Sequence, residues 1–297
     1  MLKRTLYFTK PSHLSVKNKQ LVVELKDENQ TKTVPVEDIG FIVIENMQIS
    51  LSTPLIEELM NYNVAVIFCD SKHHPQSMLI NFEGNHQQTE VYRQQVAASE
   101  PLKKNLWKQT VEAKIENQAK ALIKLGINAD PLPHLASQVK SGDSDNREGM
   151  AARLYWKKLF GDEFNRERFG DWPNALLNYG YIVLRAATAR ALTGSGLLPS
   201  FGIFHSNRFN AFCLADDVME PYRPFIDLLV YDLHVKYPGM QELQKEIKAE
   251  ILNVLSADVK MKDSTRPLMI ALTHTSASLV ACYKGERKNI EFATVQL

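Results

Sequence analysis

The chain has 297 residues, 44% of them hydrophobic and 23% charged, with a net charge of +1. That balance is the profile of a folded globular protein and excludes a disordered one. It is silent on nucleic acid, because phosphate binding depends on where Lys and Arg are placed locally. Cys69, Cys213 and Cys282 are far apart and odd in number, which argues against a disulfide framework and for a reducing, cytoplasmic setting. The opening MLKRTLYFTKP has no apolar run behind it, so no signal peptide is expected. No stretch approaches the ~18 apolar residues of a membrane helix, so a soluble protein with no membrane partner is expected.

The first part reads as strands. LKRTLYF (2–8) mixes β-branched and aromatic residues, and HLSVKNKQLVVEL (13–25) places Lys17, Asn18 and Lys19 as a turn between two short runs, a hairpin. GFIVIE (40–45) is apolar enough for an inner strand. In 53–62, Thr53 is expected to cap a helix, Pro54 fits its first position, and LIEELMNY repeats apolar residues at helical spacing. VAVIFCD (64–70) and QSMLINF (76–82) are short strands bounded by turn residues. Asp70, His73 and His74 look like a metal cluster but precede Pro75 in a turn, so they read as a surface loop.

The composition then changes. Residues 83–101 are polar and read as a linker running into helix, and the rest carries the 3.6-residue period. A long amphipathic helix over 102–126 holds Lys103, Lys104, Lys108, Lys114, Lys120 and Lys124. A helix over 174–192 is apolar almost all round and is expected to be central and buried. Helices follow over 225–235 (Ile226, Leu229, Val230 and Leu233 on one face) and 241–255 (Leu243, Ile247, Ile251 and Val254). The last has Pro267 at its start and Gly285 as its C-terminal cap. The expected architecture is α+β in two domains: residues 1–84 β-rich and sandwich-like, residues 85–297 all-α and catalytic.

Two segments carry chemistry. In GIFHSNRFNAFCLADDVMEPYRP (202–224), Asp217 and Glu220 are three residues apart and point the same way in a helical turn, with His205 in the preceding loop. Carboxylates with one imidazole suit Mg²⁺ or Mn²⁺ better than zinc. The same spacing is also that of a capping box, with Asp217 as cap. In SDNREGMAARLYWKKLF (144–160), Glu148 opens a helix whose next turn is Ala151 and Ala152, and Asp145 and Glu148 again have capping-box spacing. His234 and His274 read as packing residues. Cys213 has no base with a helper beside it, and no phosphate-binding G-x-x-x-x-G-K-[ST] loop occurs.

EGMAARLYW (148–156) followed by GIFHSNRFNAFCLADDVMEPYRP (202–224) resembles the CRISPR-associated integrase family that inserts new spacers into CRISPR arrays. VEDIGFIVIEN and VAVIFCDSKHHP also look like that family's N-terminal β domain, and DDVMEPYRP looks most like type II systems. The family's E-x-x-A-A-R-x-Y-W glutamate falls on Glu148, its histidine on His205, and the acid closing D-x-x-[DE] on Glu220. The resemblance implies that these three are the catalytic residues and the ligands of Mg²⁺ or Mn²⁺. It implies that Asp217 supports them from behind or as a cap, and it leaves Asp216 unplaced. The implied reaction joins the 3′-hydroxyl of a short double-stranded DNA fragment to a phosphodiester at the edge of a CRISPR repeat, once per strand. The implied assembly is a homodimer made largely through the β domains, two dimers being bridged by a small ferredoxin-like partner protein.

Basic residues cluster around these positions. Arg147, Arg153 and Lys157, with Arg208 and Arg223, are candidate contacts to DNA phosphates, and Lys158, Arg166 and Arg168 lie among them. A solvated helix face is the alternative. Of Tyr155 and Trp156, adjacent on one helix, at least one is expected in the core. Two other functions fit the residues: a structure-selective, metal-dependent nuclease acting on branched DNA, and a non-catalytic helical scaffold in which the acids are caps.

Overall fold

A computed structural model describes residues 3–26, 30–71, 75–81, 83–168, 170–239 and 244–297. His73, His74 and Leu243 lie outside the described residues. The chain divides into two compact units, Met1–Gly84 and Asn85–Leu297.

In the first unit, β1 (Arg4–Phe8), β2 (Ser12–Lys17), β3 (Gln20–Leu25), β4 (Gln30–Pro35), β5 (Ile39–Ile44) and β6 (Ser50–Leu51) precede α1 (Thr53–Asn61), and β7 (Ala65–Cys69) and β8 (Pro75–Leu79) follow it. They form two four-stranded sheets, ordered β1-β5-β7-β8 and β4-β3-β2-β6. The expected hairpin is β2–β3, antiparallel with Lys17 opposite Gln20. Asn18 and Lys19 both sit at positive φ, 52° and 58°, the backbone that a two-residue turn between twisted strands demands. Strand β5 runs parallel to both β1 and β7, and all of its residues are buried, as a continuous apolar run requires.

Leu14, Leu21 and Val23 of one sheet share a core with Ile42, Ile44 and Val66 of the other. Helix α1 adds Leu55 and Leu59, one turn apart, to the same core. Its cap is Ser52 rather than Thr53, and Ser52 acts through its backbone carbonyl, which accepts from Leu55 and Ile56 at 3.1 and 3.2 Å.

The second unit contains α2 (Gln88–Val96), α3 (Glu100–Lys124), α4 (Leu132–Ser137), α5 (Arg147–Phe160), α6 (Asn174–Gly194), α7 (Cys213–Met219), α8 (Arg223–Lys236), α9 (Lys245–Asn253), β9 (Asp258–Met261), β10 (Ser264–Pro267) and α10 (Leu268–Tyr283). Two expectations are corrected here. Residues 88–96 are helix instead of linker, because Val91 and Gln95 bury one face of an otherwise polar segment. The unit is not all-α either: β9 and β10 pair antiparallel, burying Val259 and Met261 on alternate positions. The overall class is mixed α+β. Helix α6 is buried almost all round, as its composition demands, and Gly285 leaves α10 at φ 74°. Among the described residues, no helix is long and apolar enough to cross a membrane.

Candidate metal centre

Helix α3 supplies a residue that sequence patterning hides. Lys114 is buried, and its Nζ lies 2.6 Å from Glu148 Oε1 and 2.6 Å from Glu220 Oε2. The two carboxylates therefore converge on one cation, here an ammonium. Glu220 Oε1 is held by Arg223 Nη2 at 2.8 Å. Burial pulls the Lys114 ammonium down, but the charges of Glu220 and Glu148 outweigh it and leave its pKa raised. Burial pushes Glu220 up, and Arg223 with Lys114 reverses that, so its carboxyl is lowered. The group is ionised and internally neutral, two carboxylates against two cations, which makes such burial tolerable.

Glu148 stands in the first turn of α5, and the capping there corrects the sequence reading. Asp143, not Asp145, accepts from the backbone of Arg147 and Glu148 at 2.7 and 3.1 Å. Asn146, in the left-handed region, accepts from Gly149 at 3.1 Å. Asp145 instead pairs with Arg147 at 3.0 Å.

Asp217 organises the histidine. Fully buried, it accepts from the backbone N–H of Ile203, Phe204 and His205 at 2.6, 2.9 and 3.3 Å. It also bonds His205 Nδ1 at 2.5 Å. This is more than a helix cap: it fixes the loop and the ring together and leaves Nε2 free. The Asp217 bond, against burial and with the charges of Asp217, Glu220 and Glu148, raises the His205 pKa. Gly202 makes the approach possible, since a Cβ there would strike the His205 carbonyl and stand 2.8 Å from Asp217 Oδ2. Gln95 of α2 anchors the loop's start through Leu198 N (2.9 Å) and the carbonyls of Leu198 (3.0 Å) and Phe201 (2.9 Å). Asp216, unplaced by sequence, takes Arg185 at 2.6 and 3.0 Å and Asn210 at 2.7 Å.

One helical turn beyond Lys114, Asn117 Nδ2 donates to the carbonyls of Pro221 and Ala293 at 2.7 and 2.9 Å, and its Oδ1 accepts from Val295 at 3.0 Å. Helix α3 thus grips the 3₁₀ turn Glu220–Tyr222 twice. Behind it, Asp227 accepts from Tyr181 and Tyr155 at 2.5 and 3.1 Å. Burial, opposed by these two bonds and by Arg223 and Arg166, raises the Asp227 pKa to about 7.

The candidate DNA contacts divide. Arg153, Lys157 and Arg208 are exposed. Arg223 is committed to Glu220 and lies over the Tyr181 ring, 4.5 Å from its centroid, and Arg147 is paired with Asp145. Arg166 is tied to Asn174 and Asn178 at 3.1 and 2.7 Å. Tyr155 is core, while half-buried Trp156 packs on Phe160 and Phe164. His234 accepts from Trp172 Nε1 at 2.8 Å, a packing role.

Among the described residues no group of three or more His, Cys, Asp and Glu side chains is drawn together in a way that could hold a metal ion. The donor chemistry nonetheless fits a hard divalent cation, namely two carboxylates with an imidazole nitrogen left free. Glu220 Oε2 is buried, and its close neighbour is the Lys114 ammonium at 2.6 Å.

The family model described as CRISPR associated protein Cas1 matches residues 6–237. The CRISPR-associated endonuclease Cas1 of Neisseria meningitidis serogroup C (strain 8013) is 39% identical over 261 residues, 87% of this chain and 85% of that one. Among solved structures, a casposase bound to integration product aligns with TM-score 0.81 at 21% identity, over 98% of this chain and 93% of that one. A Cas6-RT-Cas1–Cas2 complex aligns with TM-score 0.72 at 20% identity, over 96% of this chain and 35% of that one.

Proposed function

The chain belongs to the Cas1 family of CRISPR-associated proteins, and from that premise we propose that it is a metal-dependent DNA integrase and endonuclease of CRISPR adaptation. It joins the 3′-hydroxyl ends of short double-stranded DNA into a CRISPR repeat. The hydroxyl oxygen forms a new bond to phosphorus, the bond to the repeat's own 3′-oxygen breaks, and that oxygen leaves with a proton. The observation that carries the reading is the meeting of Glu148 and Glu220 on Lys114 beside a histidine oriented by Asp217.

Glu148, Glu220 and His205, through Nε2, are the residues that would hold Mg²⁺ or Mn²⁺. When bound, the cation supplies Lewis acidity to the phosphodiester and steadies negative charge on the departing oxygen. The protein does the positioning. Asp217 fixes the imidazole's orientation, α3 and Arg223 fix the Glu220 carboxylate, and the internal charge balance leaves no surplus negative charge to repel a phosphate. Exposed Arg153, Lys157 and Arg208 supply salt-sensitive backbone affinity for the DNA.

The assembly is a homodimer through the first unit, two dimers being bridged by a small ferredoxin-like partner, in the cytoplasm and in a type II system. The Cas6-RT-Cas1–Cas2 complex among the fold neighbours supports a partner of the Cas2 kind, and the casposase solved on its integration product supports joining over cutting alone.

The test is an integration assay with purified protein, its bridging partner, a supercoiled repeat plasmid and Mg²⁺ or Mn²⁺. Glu148→Ala, His205→Ala and Glu220→Ala should each abolish joining, a loss of at least ~10³-fold, with the fold kept. Full joining by any of them removes that residue from the set. Free ends without joined strands would establish a branched-DNA nuclease, and a protein whose DNA complex binds no Mn²⁺ would establish a scaffold.

A further inference from the structure

Lys114 does more in this site than balance charge. The other lysines of α3 are half-buried or exposed, whereas Lys114 is turned inward, and its Nζ stands 2.6 Å from both Glu148 Oε1 and Glu220 Oε2. It occupies the point at which a cation shared by those two carboxylates has to sit. Among the described residues, no other side chain bonds the Glu148 carboxylate. The backbone on either side does not need the contact. Glu220 keeps Arg223 on its other oxygen at 2.8 Å, and Asn117 clasps its turn through the carbonyl of Pro221 at 2.7 Å. The first turn of α5 is held by Asp143, which accepts from the backbone N–H of Glu148 at 3.1 Å. Both glutamates are delivered by other bonds, and the ammonium rides on a flexible four-carbon stem that can withdraw while α3 stays in place.

What the contact supplies is positive charge at short range. A dication reaching the same oxygens meets that charge at close quarters, where like charges repel strongly inside a protein. The Glu148 side chain is the more open of the two, 23% exposed against 6% for Glu220. An arriving cation therefore reaches Glu148 first, with Lys114 still on Glu220. We propose that Lys114 is the resident counter-ion of the metal-free site, neutralising Glu148 and Glu220, and that a divalent cation must displace it from them. This rests on the reading of Glu148, His205 and Glu220 as a metal centre and adds the residue that opposes its loading. A lysine that served only as a strut would have the opposite effect when removed, since the carboxylates would drift apart and bind the cation less well.

The test measures Mn²⁺ binding by the full chain without DNA, by electron paramagnetic resonance, and the melting temperature in EDTA and in Mn²⁺. Lys114→Met, an unbranched apolar chain of similar length, should bind Mn²⁺ at least about tenfold more tightly than the wild type. In EDTA it should melt several degrees lower, because Glu220 keeps a buried charge with one partner fewer, and Mn²⁺ should recover most of that loss. Lys114→Arg, which keeps the charge, should show no gain in affinity. Adding Glu148→Gln to Lys114→Met should cancel the gain, which places it at this site. Lys114→Gln repeats the measurement should the methionine variant fail to fold. Equal or weaker Mn²⁺ binding in a folded neutral variant, or an equal gain in Lys114→Arg, overturns the proposal. So does failure of both neutral variants to fold in EDTA and in Mn²⁺ alike, which would make Lys114 a strut. If the wild type with DNA joins no strands and binds no Mn²⁺, the metal-centre reading falls as well. A wild type that joins strands, beside a Lys114→Met of unchanged Mn²⁺ affinity, sinks the counter-ion alone.

Discussion

Strand β5 and helix α7 are each buried along their whole length, and they reach that state by different means. Strand β5 is Ile-Gly-Phe-Ile-Val-Ile, closed by parallel neighbours on both sides, and nothing on its side chains asks for a partner. Helix α7 carries Asp216 and Asp217 into the interior, and each oxygen is met: Asp216 by Arg185 and Asn210, Asp217 by three backbone donors and His205. An unmet buried carboxylate costs several kcal/mol, so carboxylates at such depth need partners placed for them. Removing apolar surface from water builds the first region. Specific polar partners set the shape of the second, and that shape presents His205.

The comparison can be broken most severely at β5. Ile42→Asp places a carboxylate where no donor exists, a cost of at least about 5 kcal/mol, and should leave the first unit unfolded by circular dichroism and limited proteolysis. A cooperative melt near the wild-type temperature would show that β5 is not the closed environment described. Asp217→Ala comes next. It orphans the loop's donors and frees the imidazole, so about 3 kcal/mol of stability should be lost in denaturant melts, and joining should fall by 10- to 100-fold. Wild-type joining would mean that His205 is oriented by something else. Gly202→Ala separates geometry from charge: the added methyl pushes the loop off Asp217 with every polar partner still present. Joining should drop about 10²-fold, since a displacement near 1 Å is enough, and the melting temperature should fall by several degrees, because Asp217 stays buried with its bonds to the loop broken.

Smaller effects sharpen the contrast. Asp227 has a folded pKa of about 7, against about 3.9 in an unfolded chain. The folded state thus binds its proton more tightly. The stabilisation is complete below about pH 4 and is lost as pH rises through about 7. The wild type should therefore melt a few degrees higher at pH 5.5 than at pH 8, and Asp227→Asn should remove most of that difference; equal slopes in the two proteins would refute the assignment. Ile42→Val, the mildest change, should cost only about 0.5–1.5 kcal/mol, because it trims one methylene from an apolar wall.

Legibility in the sequence followed the same divide. The β5 run, the Lys17–Lys19 hairpin and the buried α6 are local patterns, and local patterns set them. Helix α2 was hidden because its buried face contains a glutamine, Gln95, whose partners are a hundred residues downstream. The β9–β10 hairpin turns at Lys262 and Asp263 without the glycine or asparagine that usually announces such a turn. At the site, the residue types and spacings of Glu148, His205, Asp217 and Glu220 are visible in the chain. That Lys114 joins two of them is not visible: it is one of six lysines on an amphipathic helix, and only packing makes it the buried one. The cap on α5 went to Asp143 because a chain reversal at positive φ brings it over the helix end, which spacing rules do not anticipate.

Asn117 carries a practical warning for anyone handling this protein. It clasps the turn bearing Glu220 with one hand and residues 293–295 with the other. Trimming those residues for convenience, or crowding them with a fusion partner, would slacken the floor beneath Glu220, because Asn117 Nδ2 holds both at once and Ala293 N–H donates to Tyr222 of the same turn. An inactive preparation truncated there would report on its missing buttress, not on its chemistry.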